Sequence, residues 1–241
     1  MTRLATAIKT DVTVQLRNQL YTIGVGVAVL VAVVFAWLAG PEQLFSIVPA
    51  LLLMFVGGTT FLYVGAIIFF EKEQGTLNAN MVSPMRVSEY LWAKILTLSV
   101  LATLESVIII GLSMIIMSFS NDLDLPNVFL LLCGILAIGV IYTLTGIIVM
   151  VRYDKITDFL IPLAFIVGVL QLPFLHFWGV VEHPLFLVFP TSAPTMIIRG
   201  AFIQLASWEW FYAIGYTGAL IVGLTVWAYR AFHTHIIEKV G

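Results

Sequence analysis

Six long apolar runs, almost free of charge, constrain this chain more than any other feature of its sequence. They are Leu20–Ala39, Leu44–Phe70, Ile95–Met117, Leu125–Val151, Phe159–Trp178 and Phe211–Tyr229. A helix needs about 20 apolar residues to cross the hydrocarbon of a bilayer. Only helices and closed barrels keep every backbone N–H and C=O paired there. Runs of this length therefore predict an all-α, polytopic membrane protein, a bundle of six transmembrane helices. The second run has no charge across its 27 residues, so tilt or a bend is expected, with Pro49 and Gly57-Gly58 as candidate places.

Composition agrees. Hydrophobic residues make up 61% of the chain and charged ones 10%, whereas a soluble domain carries about a quarter charged. Six spans consume most of the 241 residues, so the chain reads as a single transmembrane domain, 1–241, with little left for a soluble catalytic unit. A net charge of -2 excludes a nucleic-acid partner, which would need concentrated Lys and Arg. Cys133 is the sole cysteine, so neither an intrachain disulfide nor a CxxC metal pair can form. The first apolar run starts too late and is too long for a cleavable signal peptide.

Basic residues set the orientation. With the N-terminus inside, the inner segments hold Arg3, Lys9, Arg17, Lys72, Arg86, Lys94, Arg152, Lys155, Arg230 and Lys239, and the outer ones only Arg199. That asymmetry is the positive-inside pattern and places both termini in the cytoplasm of a multi-pass cell-membrane protein. In residues 1–19, Leu4, Ile8, Val12 and Leu16 recur every fourth position, while Arg3, Lys9, Thr13 and Arg17 form another stripe. This predicts an amphipathic helix lying in the membrane interface.

Two connections are too elaborate to be simple turns. The inner one, 71–94, reads EKEQGTLNANMVSPMRVSEYLWAK. Glu71, Lys72 and Glu73 put charge at the exit of the second span, where Glu71 and Glu73 are expected to stay hydrated. Gly75 can take the left-handed conformation that ends a helix. Ser83 is expected to cap a new helix with Pro84 in its first turn. Val87, Tyr90 and Leu91 share a face of that short cytoplasmic helix, which ends at Lys94 and feeds the third span. The outer connection, 180–210, is apolar in its middle but broken by Pro184, Pro190 and Pro194, with Thr191 and Arg199 beside them. It is too broken for one span and too apolar for a water loop, so a re-entrant or interfacial hairpin is expected. A seventh span over Leu185–Gln204 would put Arg230 outside, against the charge pattern.

The inner segment resembles the cytoplasmic signature of ABC-2 type transporter permeases: an acidic cluster, Gly-Thr-Leu, a Ser-Pro step, then a helix with an acid and a lysine. Here these are Glu71, Glu73, Gly75, Thr76, Leu77, Ser83, Pro84, Glu89 and Lys94. The N-terminal helix, the six spans and the long outer segment are similar too. The resemblance implies a permease subunit that dimerises with a second copy or a similar permease and carries a separate ABC ATPase on its cytoplasmic side. ATP and Mg would be bound by that partner, and 71–94 would be the coupling region. The large outer domain of many relatives is missing, which leaves drug, lipid and polysaccharide export open.

Missing motifs point the same way. There is no GxxxxGK[ST] phosphate loop, no HExxH and no GxSxG elbow, so the chain is expected to be no enzyme and to bind no cofactor or metal itself. Glu105, the one acid deep in a span, is either a cavity or hinge residue or a neutral acid hydrogen-bonded to Ser99, Thr103 or a neighbouring helix. Gly24 and Gly26 could mark a subunit interface. Competing readings are a membrane enzyme or assembly factor, which would need a cluster of polar catalytic residues, and an ion-driven carrier, which would need paired buried charges. In a chain whose Cys133 has been replaced, Asn78→Cys should react with an impermeant maleimide only from inside, and Asn127→Cys only from outside. Outside labelling at position 78 would refute the orientation.

Overall fold

The computed structural model describes residues 3–77, 85–119 and 125–237, with side chains apart from those of 41–46 and 156. The helices are α1 (Arg3–Arg17), α2 (Leu20–Leu38), α3 (Pro41–Glu73), α4 (Val87–Ser118), α5 (Val128–Met150), α6 (Ile156–Gln171), the single turn α7 (Phe174–Phe177), α8 (Ser192–Arg199) and α9 (Ser207–Phe232). A short 3-10 helix, Pro184–Val188, precedes α8, and a π-helical turn, His233–Ile237, follows α9. Among the described residues six segments are long and apolar enough to cross a membrane, lying in α2, α3, α4, α5, α6–α7 and α9. These are the six runs read from the sequence.

The bundle is built around α5. Apolar on all sides, it packs against α3, α4, α8 and α9. Ile135, Ile138, Ile141, Tyr142 and Leu144 on it are fully buried. Its start is capped by Asn127, whose side chain accepts from the Leu130 N–H at 3.2 Å. Helix α4 packs between α5 and the pair α1–α2, and α6 leans on α3. The joint between α1 and α2 is made at Gln19, which has a left-handed φ of 59°.

Two helices are longer than a bilayer requires. At 33 and 32 residues, α3 and α4 reach about 48–50 Å at 1.5 Å per residue, against about 30 Å of hydrocarbon. The start of α4 and the end of α3 together form the elbow around 71–94. The separate short helix expected there is the first part of α4 itself. Arg86 is extended, at φ -78° and ψ 147°, and α4 begins at Val87. Glu89 supplies the cap, accepting from the Arg86 N–H at 2.8 Å. Ser83 and Pro84 lie outside the described residues. Gly75, at φ 68°, does end the preceding helix, its N–H donating to the Lys72 carbonyl at 3.1 Å.

The outer connection is not a seventh span. It is the 3-10 turn, then the eight residues of α8, seven of them buried. Neighbouring elements take up its polar groups. Tyr212 donates to the Leu187 carbonyl at 2.5 Å and Tyr216 to that of Val188 at 2.7 Å. Thr191 donates to the Leu170 carbonyl at the end of α6, 2.6 Å away. The Asn127 N–H reaches the Ala201 carbonyl at 2.8 Å.

Gly134 lets α8 reach the central helix. A β-carbon there would stand 2.5 Å from Ile198 Cγ1, 2.9 Å from its backbone N and 3.1 Å from the Pro194 carbonyl oxygen. Gly134→Ala should therefore destabilise the purified protein by roughly 1–3 kcal/mol, the usual range for overpacking. Gly111→Ala, whose new methyl meets nothing within 4 Å, should raise stability slightly through helix propensity. Thermal unfolding in detergent measures both, and equal midpoints for the two variants would disprove the close contact.

Candidate functional site

The segment singled out in the sequence converges on one buried lysine. Lys94 sits two turns into α4 and is 1% exposed. Its ammonium lies 2.5 Å from Asp11 Oδ1 on α1 and 2.5 Å from Glu71 Oε1 at the end of α3. The Tyr90 hydroxyl donates to the other oxygen of Glu71 at 2.5 Å. One turn further along α1, the Gln15 amide donates to the Thr97 hydroxyl at 2.9 Å. Three helices are thus joined through one cation. Lys72, the neighbour of Glu71, reaches the opposite way. Its ammonium donates to the carbonyls of Met150, at 3.2 Å, and Tyr153, at 2.5 Å, where the C-terminal end of α5 favours a cation.

This geometry corrects the expectation for Glu71. It is not hydrated but buried, 9% exposed, and paired. Glu73 is exposed, as expected, along with Gly75 and Thr76. The Thr76 hydroxyl donates to the Glu71 carbonyl at 3.2 Å, folding the elbow back on the helix end. Glu89 caps α4 and makes no part of the cluster. The elbow residues therefore divide into a buried set, Glu71 and Lys94, and an accessible set, Glu73, Gly75 and Thr76.

Asp11 and Gln15 were not singled out in the sequence, and Tyr90 only as part of a helix face. Asp11 and Gln15 lie four residues apart, hence on one face of α1, and that spacing was the only available signal. Nothing along the chain says that residue 11 meets residue 94. Burial pushes the Asp11 carboxyl above its ordinary range, and the Lys94 charge only partly offsets this.

The second polar site is Glu105, fully buried in α4. Neither Ser99 nor Thr103 is its partner; the Tyr63 hydroxyl of α3 donates to Oε1 at 2.6 Å. Thr59 of α3 stands beside the same carboxyl. Gly24 of α2 makes room for the carboxyl, since a β-carbon there would stand 1.9 Å from Oε1. Next to this site a cleft of about 850 Å³ opens between α2 and α3. The outer-segment residues serve packing: Thr191 and Pro194 are buried in the α8 region, while Pro190 and Arg199 are half-buried at its ends. Among the described residues no group of three or more His, Cys, Asp or Glu could hold a metal ion.

Residues 2–240 match the model of the fluoroquinolones export permease protein family. The chain belongs to that family. Two curated relatives, the fluoroquinolones export permease proteins of Mycobacterium tuberculosis strains H37Rv and CDC 1551 / Oshkosh, are each 29% identical to it over 255 aligned positions. Each alignment covers 100% of this chain and 99% of the relative. The chain is thus a polytopic ABC-2 type permease subunit of a transporter, and no enzyme. Within this permease subunit the Lys94 cluster occupies the elbow that the family resemblance marks.

Lys94→Met leaves two buried carboxylates facing each other without a cation. Breaking a buried pair this way should cost about 3–5 kcal/mol. Asp11→Asn should cost far less, because burial already works against the ionised Asp11. In the Lys94→Met protein the repelling acids should have raised pKa values. Stability should therefore be higher at pH 5 than at pH 8, lost as pH rises through the raised values. Unfolding in detergent at the two pH values decides this, and a Lys94→Met protein as stable as the parent at pH 8 would sink it.

Proposed function

We propose that this chain is the membrane subunit of an exporter of an amphipathic drug-like or lipid compound, driven by a separate ABC ATPase and working as a pair of permease chains. The observation that carries the reading is the end-to-end match to a permease family described by fluoroquinolone export, in a sequence without a phosphate loop of its own. ATP and Mg would be held by the partner. Both termini and the elbow would face the cytoplasm, with α1 in the interface there. The segment carrying α8 would dip into the outer leaflet and cap the exit.

The elbow suits a coupling role for a physical reason. Its accessible part, Glu73, Gly75 and Thr76, can meet a partner, while its buried part ties α3 to α1 and α4 through Lys94. Pressure on the exposed part would thus move three helices together and reshape the path between two copies by alternating access. Ser83 and Pro84 complete the same segment.

Glu73→Ala should leave expression and thermal stability unchanged, since an exposed charge contributes under about 1 kcal/mol to folding. It should lower substrate-stimulated ATP hydrolysis of the reconstituted complex several-fold, because a charge pair desolvated at an interface is worth about 1.5 kcal/mol or more. Less than about a twofold change would place coupling elsewhere. Purification with native partners should bring down an ATPase; its reproducible absence from a transport-competent preparation would overturn the reading.

A further inference from the structure

We propose that the Lys94 cluster binds a proton, held by Asp11 and shared with Gln15, and that this proton fastens α1 to α4. The reason begins with a count of charges. One ammonium, Lys94, faces two carboxylates, Asp11 and Glu71, and all three are buried. The nearby cations do not balance them. Lys9 and Arg17 are exposed, and the Lys72 ammonium bonds to carbonyls at the end of α5. One negative charge is therefore in excess, in a place where an unpaired charge is costly.

The hydrogen bonds say which acid carries it. Both oxygens of Glu71 receive a donor, Oε1 from Lys94 and Oε2 from Tyr90, each at 2.5 Å. Asp11 receives one, from Lys94 to Oδ1. Its Oδ2 is buried without a donor among the described residues. Gln15, one turn along α1 and fully buried, donates through Nε2 to Thr97, and its Oε1 has no donor among them either. Both side chains lie on one face of α1, against the stretch of α4 from Lys94 to Thr97. Two neighbouring buried acceptors thus lack one donor, an arrangement that costs stability. A proton on Oδ2 supplies the donor and removes the charge excess as well. Oδ1 still accepts from Lys94, and Glu71 remains the counter-ion of Lys94. The proton comes from water at the membrane surface.

The groups that face Asp11 are Lys94 and Tyr90 of α4 and Glu71 of α3. Helix α2, also packed on α1, carries no charged residue. Burial is the largest influence and raises the Asp11 carboxyl; Lys94 lowers it, and Glu71 raises it. With the folded-state value raised, the proton's contribution is complete below the ordinary carboxyl range and is lost as pH rises through the raised value. Above that value Asp11 is an excess buried anion. Moving α1 outward then returns it to water, while Lys94 keeps Glu71. Helix α1 is thus a pH-sensitive strap on the elbow. That loosening it alters coupling to an ATPase rests on the permease reading above; the proton site does not.

The test uses the full chain in lipid nanodiscs, without ATPase. Infrared spectra between about pH 4 and pH 8 should contain the carbonyl stretch of a protonated carboxylic acid that Asp11→Asn removes, titrating above the ordinary Asp range. Gln15→Met should weaken proton binding about fivefold, the worth of one ordinary hydrogen bond. Spin labels on Ala5→Cys in α1 and Thr157→Cys in α6, both exposed positions, report the strap, with Cys133 replaced and labelled chains diluted in unlabelled ones. Their distance distribution should be narrow at low pH and broaden as the band disappears. Asparagine has an amide N–H where protonated aspartate has its O–H, so Asp11→Asn should stay narrow throughout, whereas Asp11→Ala should be broad throughout. An ion pair alone predicts that α1 is loosened in Asp11→Asn as in Asp11→Ala. That result, or the absence of an Asp11 band over the whole range, would overturn the proposal. So would an Asp11→Asn chain that fails to fold, since it mimics the fastened form. Failure to find an ATPase partner would damage the exporter reading and leave these measurements untouched.

Discussion

A polar group inside hydrocarbon has no water to fall back on, and the protein must supply every partner it needs. Most of this structure follows from that constraint. The spans are helices because helices pair their own backbone. Hydroxyls within them bond back to their own turns, as Ser106 does to the Ala102 carbonyl at 2.7 Å and Thr145 to that of Ile141 at 2.8 Å. Others stitch helices together, as Ser113 does by donating to the Ala32 carbonyl of α2 at 3.1 Å. The irregular segment between α7 and α9 is tied to its neighbours in the same way, by tyrosines of α9 donating to its carbonyls and by Thr191 donating to the carbonyl end of α6.

The same constraint explains why the elbow is a mechanical unit. Once buried, Lys94 must keep a carboxylate within reach, because a lone charge in a low-dielectric site is far more costly than a paired one. Asp11 and Glu71 are consequently bound to follow it, and α1 and the end of α3 with them. Lys72 ties the adjoining residue to the end of α5. Two neighbouring residues of α3 thus grip the two sides of the bundle. Displacing the accessible residues after Glu73 acts on this grip, which gives a charged linker a route into the spans.

Packing around α5 is uneven, and the unevenness matters. Helices α3, α4 and α5 form the buried middle, while α2, α6 and α9 expose most of their surface. Helix α2 rests on α4 through small residues, including the fully buried Ala28 and Ala32, and Gly24 brings it against the Glu105 carboxyl. Its separation from α3 leaves an apolar cleft of about 850 Å³ lined by both helices.

The sequence by itself determined the fold class, the number of spans and the place of the elbow, because hydrocarbon thickness and backbone pairing act on local runs of residues. Gly75 as a helix end and the proline-broken outer segment were legible for the same reason: φ limits and missing N–H groups are properties of one residue. Only the tertiary structure decided which polar residues are buried together. Asp11 meets Lys94 across 83 positions, and Tyr63 meets Glu105 across 42, and no local pattern encodes such distances. Glu71 and Glu73 look alike in the sequence, two residues apart at a helix end. One is buried and paired and the other exposed, because the helix turn between them points only Glu71 at Lys94.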